Sequence, residues 1–329
     1  MAQKYVQSEV FTGVLSCQVQ GHPIEDTVVA TSGESQIVLT RFSGVHNGNK
    51  NAGSTIRNDL LDQIGAFTFG STADNLHCLT SSTLFTLDTE RLSGISEQIF
   101  DIPPTEVIPF GKGENPFTLI VADEDGEIHL LDTRERPTST VHTLETQSEK
   151  NEIKGMAVKD MTLYSITENG VVAAYDLRKR KFSRKLEFEN KFFTSIAMDE
   201  ELVLVTTDKN DFHWIDMKEG FVKTAIKRTQ FLVEKIQILN DDLVLAKPFI
   251  GQDIVVIDRD TRQIRCQVSD RRDIHDISVA QPGGSLFVAL ENGLHVDLSM
   301  ISATDFVKAI DEKKNQPANK VDPDFFDGL

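Results

Sequence analysis

Three histidines stand at related places in the chain: His129 and His213 each lie three residues before an aspartate, Asp132 and Asp216, and His295 lies two before Asp297. Histidines converging on one point could hold a zinc ion, whose bound water becomes a hydrolytic nucleophile near neutral pH. The other usual carriers of catalysis are missing, for the chain has no Gly-rich phosphate loop, no GxSxG turn and no HExxH stretch. The three cysteines, Cys17, Cys78 and Cys266, are far apart and odd in number. Local spacing therefore offers neither a disulfide framework nor a paired-cysteine zinc site, and we expect buried free thiols.

The aspartates that follow these histidines belong to a longer series. TLFTLD ends at Asp88, IHLLD at Asp132, VAAYD at Asp176, FHWID at Asp216, IVVID at Asp258 and LHVD at Asp297, with successive gaps of 44, 44, 40, 42 and 39 residues. A seventh segment, IVLTR, ends at Arg41, 47 residues before Asp88. Six residues before most of these endings lies a turn-forming position: Ser35, Ser82, Gly126, Gly170, Asn210 and Gln252; in the last unit Gly293 precedes Asp297 by four. Asp125-Gly126, Asn169-Gly170 and Asn292-Gly293 are dipeptides that hairpins favour, because such turns need positive φ. A further apolar segment comes before each hairpin, from GAFTFG near residue 67 to HDISVA near 277. The segments are too short and too β-branched for tandem helical repeats.

Short strands recurring at about 40 to 45 residues resemble WD-repeat propellers, with four strands per blade. The resemblance covers residues 4–303. It implies an all-β fold, a seven-bladed β-propeller; the polar, proline-containing residues after Ala303 are read separately, as a short helical and disordered C-terminal tail. Trp-Asp itself never occurs, and Tyr175-Asp176 comes closest to it. Blades spread equivalent residues around a ring, so we read the three histidines as structural and expect no bound metal or other cofactor. The repeated aspartates are read as carboxylates accepting hydrogen bonds at strand ends. We expect residues 1–303 to form the propeller, its ring closed by Lys4 to Phe11 as the outer strand of the last blade, since the chain after Asp297 offers few strand residues. Residues 304–329 are expected as a short helix, Thr304 to Lys314, and an acidic tail. The Gly- and Asn-rich segment 44–60 is expected to be a long exposed loop.

A formal charge of −17 repels phosphate backbones, so direct nucleic-acid binding is not expected, and basic proteins are the better-matched partners. The N-terminus lacks the basic and apolar run of a secretory signal, and no apolar run is long enough to span a bilayer. We therefore expect a soluble chain of the cytoplasm, the nucleus or both. Two stretches, LIVADEDGEIHLLDTR ending at Arg134 and LYSITENGVVAAYDLR ending at Arg178, resemble the Asp-x-Arg box by which WD-repeat substrate receptors contact the adaptor of cullin-RING ubiquitin ligases. A guanidinium held there can grip a partner's carboxylate bidentately. The segment 178–185, RKRKFSRK, is the one basic cluster, fit for nuclear import, an acidic partner or a solvated turn. In the tail, Phe325 and Phe326 stand among Asp322, Asp324 and Asp327. They resemble the acidic-tract motif that recruits proteins to endoplasmic-reticulum receptors, and docking on another partner or in cis stays open. The reading is a non-enzymatic scaffold or adaptor subunit of an intracellular complex, itself a monomeric propeller, whose candidate contact residues are Phe325, Phe326, Asp324, Asp327, Arg134 and Arg178. The alternatives are a ubiquitin-ligase substrate receptor and, in a different class, a propeller hydrolase or lactonase with an axial metal.

Overall fold

A computed structural model describes residues 8–11, 18–25, 27–33, 35–42, 54–60, 62–110, 117–134, 139–144, 151–198, 203–216, 221–226, 231–280, 284–292 and 295–314. After β1 (Ser8–Phe11), the first blade comprises β2 (Gln18–Gly21), β3 (Val28–Ser32), β4 (Gln36–Arg41) and β5 (Ser54–Asp59). The second comprises β6 (Ala66–Phe69), β7 (Asn75–Leu79), β8 (Thr83–Asp88) and β9 (Gly94–Ile99); the third β10 (Pro104–Pro109), β11 (Thr118–Asp123), β12 (Ile128–Asp132) and β13 (Ser139–Leu144). The fourth comprises β14 (Ile153–Lys159), β15 (Thr162–Thr167), β16 (Val171–Asp176) and β17 (Lys181–Glu187); the fifth β18 (Phe193–Met198), β19 (Val203–Thr207), β20 (Phe212–Asp216) and β21 (Phe221–Ile226). The sixth comprises β22 (Val233–Ile238), β23 (Leu243–Pro248), β24 (Asp253–Asp258) and β25 (Gln263–Ser269). The seventh is built from β26 (Ile274–Val279), β27 (Ser285–Asn292), β28 (His295–Ser302) and β1, and α1 (Ala303–Lys314) follows it. Seven antiparallel four-stranded sheets of this kind make a seven-bladed β-propeller.

The sequence shows why each strand takes its place. Second strands such as VVATS, TLIVAD and VLVTT are buried at every residue, and TLIVAD lies between the apolar clusters that the third blade shares with the second and with the fourth. The fourth strand β17 alternates, reading exposed, half-buried, exposed along KFSRKLE, the mark of a sheet edge with one side toward water.

The chain divides into two compact units. Residues 60–233 hold the second to fifth blades, and residues 1–59 with 234–329 hold the first, sixth and seventh blades and α1. Within the former, apolar clusters fill the space between consecutive blades: Val107, Leu119 and Val121 meet Leu79 and Leu84, while Ile120, Leu130 and Ile153 meet Leu163 and Tyr175. Within the latter, β1 pairs antiparallel with β28 through Ser8↔Met300 to Phe11↔Asp297. A charged group also ties three blades there. The Lys235 ammonium of β22 lies 2.9 Å from both carboxylate oxygens of Asp276 on β26, and Asp276 Oδ2 accepts from Val19 N of β2 at 2.6 Å.

Three expectations change. Residues 44–60 are not loop throughout: Ser54–Asp59 is β5, paired with β4 from Gln36↔Asp59 to Arg41↔Ser54, and residues 43–53 lie outside the described part. A blade needs a fourth strand, and Thr55 and Ile56 supply its β-branched residues.

The last unit aligns on Ser302 and not on Asp297. Strand β28 continues to Ser302, and Ser285↔Ser302 matches the pairing that Thr118↔Asp132 and Thr162↔Asp176 make in the third and fourth blades. Ser302 is thus the structural counterpart of the repeated aspartate, 44 residues after Asp258. Its Oγ accepts from Asp305 N at 3.2 Å, so the position that elsewhere closes a turn here caps α1. That helix buries Ala303, Phe306, Ala309 and Ile310 among Leu243, Val256 and Ile301, and Asp311 pairs with Arg265 of β25. It is part of the core.

The cysteines also differ from one another. Cys78 is buried, and burial pushes its thiol up to about 12, leaving it inert at neutral pH. Cys266 is only half-buried, at the border of the apolar cluster that includes Leu243, Val256 and Phe306, and Cys17 lies outside the described residues.

Candidate contact site on the third and fourth blades

The repeated aspartate ends the third strand of its blade and organises the turn into the fourth. Asp88 Oδ1 accepts from Glu90 N and Arg91 N at 3.0 Å each, Asp132 from Arg134 N at 2.9 Å, Asp176 from Lys179 N at 3.0 Å, and Asp258 from Thr261 N and Oγ1 at 2.8 Å. Four residues after three of these aspartates the backbone turns left-handed, at Leu92, Arg180 and Arg262. A carboxylate that accepts backbone N–H groups is stabilised in its charged form. Hydrogen bonds from Lys179 N and from Thr261 N accordingly hold Asp176 and Asp258 below the usual carboxylate range. For Asp132 the leading cause is the Arg134 side chain.

The two Asp-x-Arg boxes diverge at this point. In the third blade, Arg134 folds back on its own turn: Nε donates to Asp132 Oδ1 at 2.9 Å and to Oδ2 at 3.1 Å, and Cζ lies 5.3 Å from the centre of the Phe117 ring. Thr133 fixes the Phe117 backbone, donating N–H and hydroxyl to its carbonyl at 2.8 and 2.9 Å. The outcome is a salt-bridged guanidinium on an aromatic face, with Arg134 and Phe117 both exposed. In the fourth blade, Lys179 takes the carboxylate, with Nζ 3.3 Å from Asp176 Oδ2. The counterpart of Thr133 is Leu177, which is buried and donates N–H to Met161. Arg178 is exposed, and among the described residues its guanidinium meets no carboxylate. The box letters gave no sign of Phe117, 17 residues before Arg134 in a different turn.

At the opposite ends of these strands, hairpin glycines bring consecutive blades together. Gly126 and Gly170 both have φ of +79°, which L side chains rarely adopt. A Cβ at Gly126 would strike the Asn151 carbonyl before β14; one at Gly170 would strike the Lys191 carbonyl and reach 2.6 Å from the Phe188 carbonyl. Asn210 serves the same turn in the fifth blade, with φ of +62°.

The histidines lie on third strands of separate blades. His129 Nε2 is 2.8 Å from Asp123 Oδ2 and Nδ1 is 3.2 Å from Thr143 Oγ1, while Asp123 Oδ1 accepts from Glu127 N at 2.8 Å. Asp123, Glu127 and His129 bring possible ligand atoms within 4.8 Å of one another, so their donor chemistry would suit a divalent cation. The carboxylate of Asp123 is, however, already used by a ring nitrogen and a backbone N–H. His213 is arranged differently. Its Nε2 accepts from the Lys191 ammonium at 2.9 Å, and that ammonium also pairs with Asp211 at 2.8 Å. Burial, then the Lys191 charge, pushes His213 down to about 4, so it is neutral near pH 7. His295 begins β28.

Phe325, Phe326, Asp324 and Asp327 lie outside the described residues. Among the described residues no helix is long and apolar enough to cross a membrane.

No family model matches the chain, and no curated protein matches it in sequence. Solved structures do. A chain in the crystal structure of the mitotic checkpoint complex is similar with a TM-score of 0.73 and 12% identity, over 92% of this chain and 93% of that one. The β-propeller domain of Cps50 (Swd1) from Myceliophteria thermophila is similar with a TM-score of 0.70 and 11% identity, over 89% of this chain and 100% of that domain. At such identities the likeness shows the fold, a WD-repeat-like propeller.

Proposed function

We propose that this WD-repeat-like propeller is a non-enzymatic scaffold or adaptor subunit of an intracellular multiprotein complex, working in the cytoplasm, the nucleus or both. The observation that carries the reading is the pair of neighbouring third-to-fourth-strand turns that present Arg134 on Phe117 and Arg178 to solvent. Exposed arginine and aromatic groups on rigid turns are the side chains that protein interfaces use most. One similar chain belongs to a solved complex, which agrees with a role among other proteins. The chemical clusters instead spend their polar atoms inside the fold, as Asp123 does on His129 and Glu127. Residues 1–303 are proposed as the propeller domain, with β1 closing it, and the acidic end of the chain, through Phe325 and Phe326, as a second contact. Substrate-receptor work in ubiquitin ligation is the specialised form, and Arg134 and Arg178 would be its adaptor contacts.

The test is affinity purification from native cells with quantitative mass spectrometry. It compares the full chain, an Arg134→Glu/Arg178→Glu variant and a chain ending at Lys314. A cut after Ala303 would remove Phe306 and Ile310 from the core and confound the result. The reading requires a reproducible partner set for the full chain, one part lost with the arginines and another with the tail. A full chain that purifies alone, or that purifies with stoichiometric metal at Asp123 and His129 and hydrolyses esters or lactones, contradicts it.

A further inference from the structure

The strongest charge feature in the described residues is at the edge of the fourth blade, and the box reading uses only its first residue, Arg178. The turn and strand 178–185 place Arg178, Lys179, Arg180, Lys181, Arg184 and Lys185 within eight residues of a chain whose formal charge is −17. Lys179 pairs with Asp176 and Lys185 with Glu187. Arg178, Lys179, Arg180, Lys181 and Lys185 are exposed, and Phe182 and Leu186 lie half-buried on the other side of the strand, Phe182 edge-on to Tyr175 at 5.9 Å. No other described fourth strand has this character: β9 reads GISEQI, β13 STVHTL and β5 STIRND.

The strand is also open. Among the described residues, the sheet order β14-β15-β16-β17 leaves β17 with a partner on one side only, whereas β14, at the other end of the sheet, packs against β10 and β18. A register shift interrupts β17 at Ser183, and from Arg184↔Ala174 to Glu187↔Val171 the pairing is regular. An edge of this kind offers a row of backbone N–H and C=O groups to an incoming strand. Lysine on an edge repels a second copy of itself, so the charge excludes this chain as its own partner and favours an acidic one. A nucleic acid would meet the same cations but has no peptide groups for the open row, and the charge of the whole chain repels it.

We propose that β17 and the turn before it dock an acidic segment of a partner protein in extended conformation, paired as a fifth strand along Arg184 to Glu187, its carboxylates facing Arg178, Lys181 and Lys185. This rests on the scaffold reading and adds the chemistry of one partner.

The probe is a fluorescent 12-residue peptide of alternating glutamate and valine, titrated with the full chain by anisotropy. It binds, and its Kd rises with salt. Arg178→Glu/Lys181→Glu/Lys185→Glu weakens it at least tenfold with an unchanged melting temperature, and the milder Lys181→Gln/Lys185→Gln weakens it severalfold should the triple variant fold poorly. The same peptide N-methylated at alternate residues keeps its charge but loses backbone donors, and it binds at least tenfold more weakly. Equal binding by both charge variants, equal binding by the N-methylated peptide, or binding of oligo-dT as tight as the peptide's each overturns the proposal. If the peptide does not bind while the full chain still purifies with partners, this inference fails and the scaffold reading stands; a chain without partners removes the scaffold reading first.

Discussion

The third and fourth blades carry the same letters at the same turn and use them differently. In both, an aspartate closes the third strand and an arginine follows two residues later. Arg134 spends its guanidinium on Asp132 and rests on Phe117; Arg178 leaves Asp176 to Lys179 and points to water. The cause lies in the residue between the aspartate and the arginine, Thr133 or Leu177, and in the turn that faces it. The third blade has an aromatic residue in the facing turn and a threonine that fixes its backbone, and the fourth has Met161 and a buried Leu177. A short motif therefore specifies the backbone turn, and the residues packed under the turn decide what its charge is free to do.

The largest effects probe what the two blades share. Gly126→Ala and Gly170→Ala each force a strained φ and a clash with the next blade's backbone, and each is expected to cost about 2 to 4 kcal/mol in urea unfolding. Gly170→Ala is expected to cost more, because its Cβ meets two carbonyls where Gly126 meets one residue. Equal, small losses would show that the blades are not packed through these turns.

Next come the buried histidines, which differ from His129 in having no carboxylate on the ring. Burial pushes His77 down to about 4, and His213 behaves alike with Lys191 adding to burial. An unfolded chain whose histidines titrate near 6.5 then binds the extra protons, so stability is full above that pH and falls as pH drops toward 4. The loss is at most about 3 kcal/mol for His77. Thermal melts from pH 7 to 4 should show this slope, and His77→Gln should flatten it; a wild-type melting temperature constant over that range would refute the assignment.

Smaller still is the effect of the repeated aspartates. Asp132→Asn loses the ion pair with Arg134 and is expected to lower stability by no more than about 1 kcal/mol after solvent screening. Asp176→Asn is expected to lower the melting temperature less, because its ion pair with Lys179, at 3.3 Å, is longer than that of Asp132 with Arg134. Both carboxylates should titrate below ordinary aspartate by NMR, so their stabilisation is present above about pH 4 and is lost as pH falls through their folded pKa values. The smallest change in stability, within about 0.5 kcal/mol, belongs to Phe117→Ala. It should nevertheless raise the reaction of Arg134 with phenylglyoxal toward that of Arg178; unchanged reactivity would mean that the ring does not hold the guanidinium.

Much of the architecture could be read from residue spacing because strand ends repeat a chemical need. A carboxylate at the end of a third strand satisfies turn amides, and glycine or asparagine at a hairpin supplies positive φ, so Asp88 to Asp258 and Gly126 to Asn210 mark the blades. The last blade escaped because serine serves the same position when the next element is a helix, and Asp297 stood close enough to be mistaken for it. Strand β5 was hidden behind a Gly- and Asn-rich stretch. Contacts between turns were the least legible: Phe117 under Arg134 and Lys191 against His213 join segments 17 and 22 residues apart, and no local pattern records them.

The central claim is that the third- and fourth-blade turns are a protein-contact surface. Hydrogen–deuterium exchange on the complex purified from native cells, compared with the isolated chain, tests it most directly. The account predicts slowed exchange in residues 132–134 and 176–187 of the complex, with other exposed turns unchanged. Unaltered exchange in both segments, with protection appearing elsewhere, would contradict it.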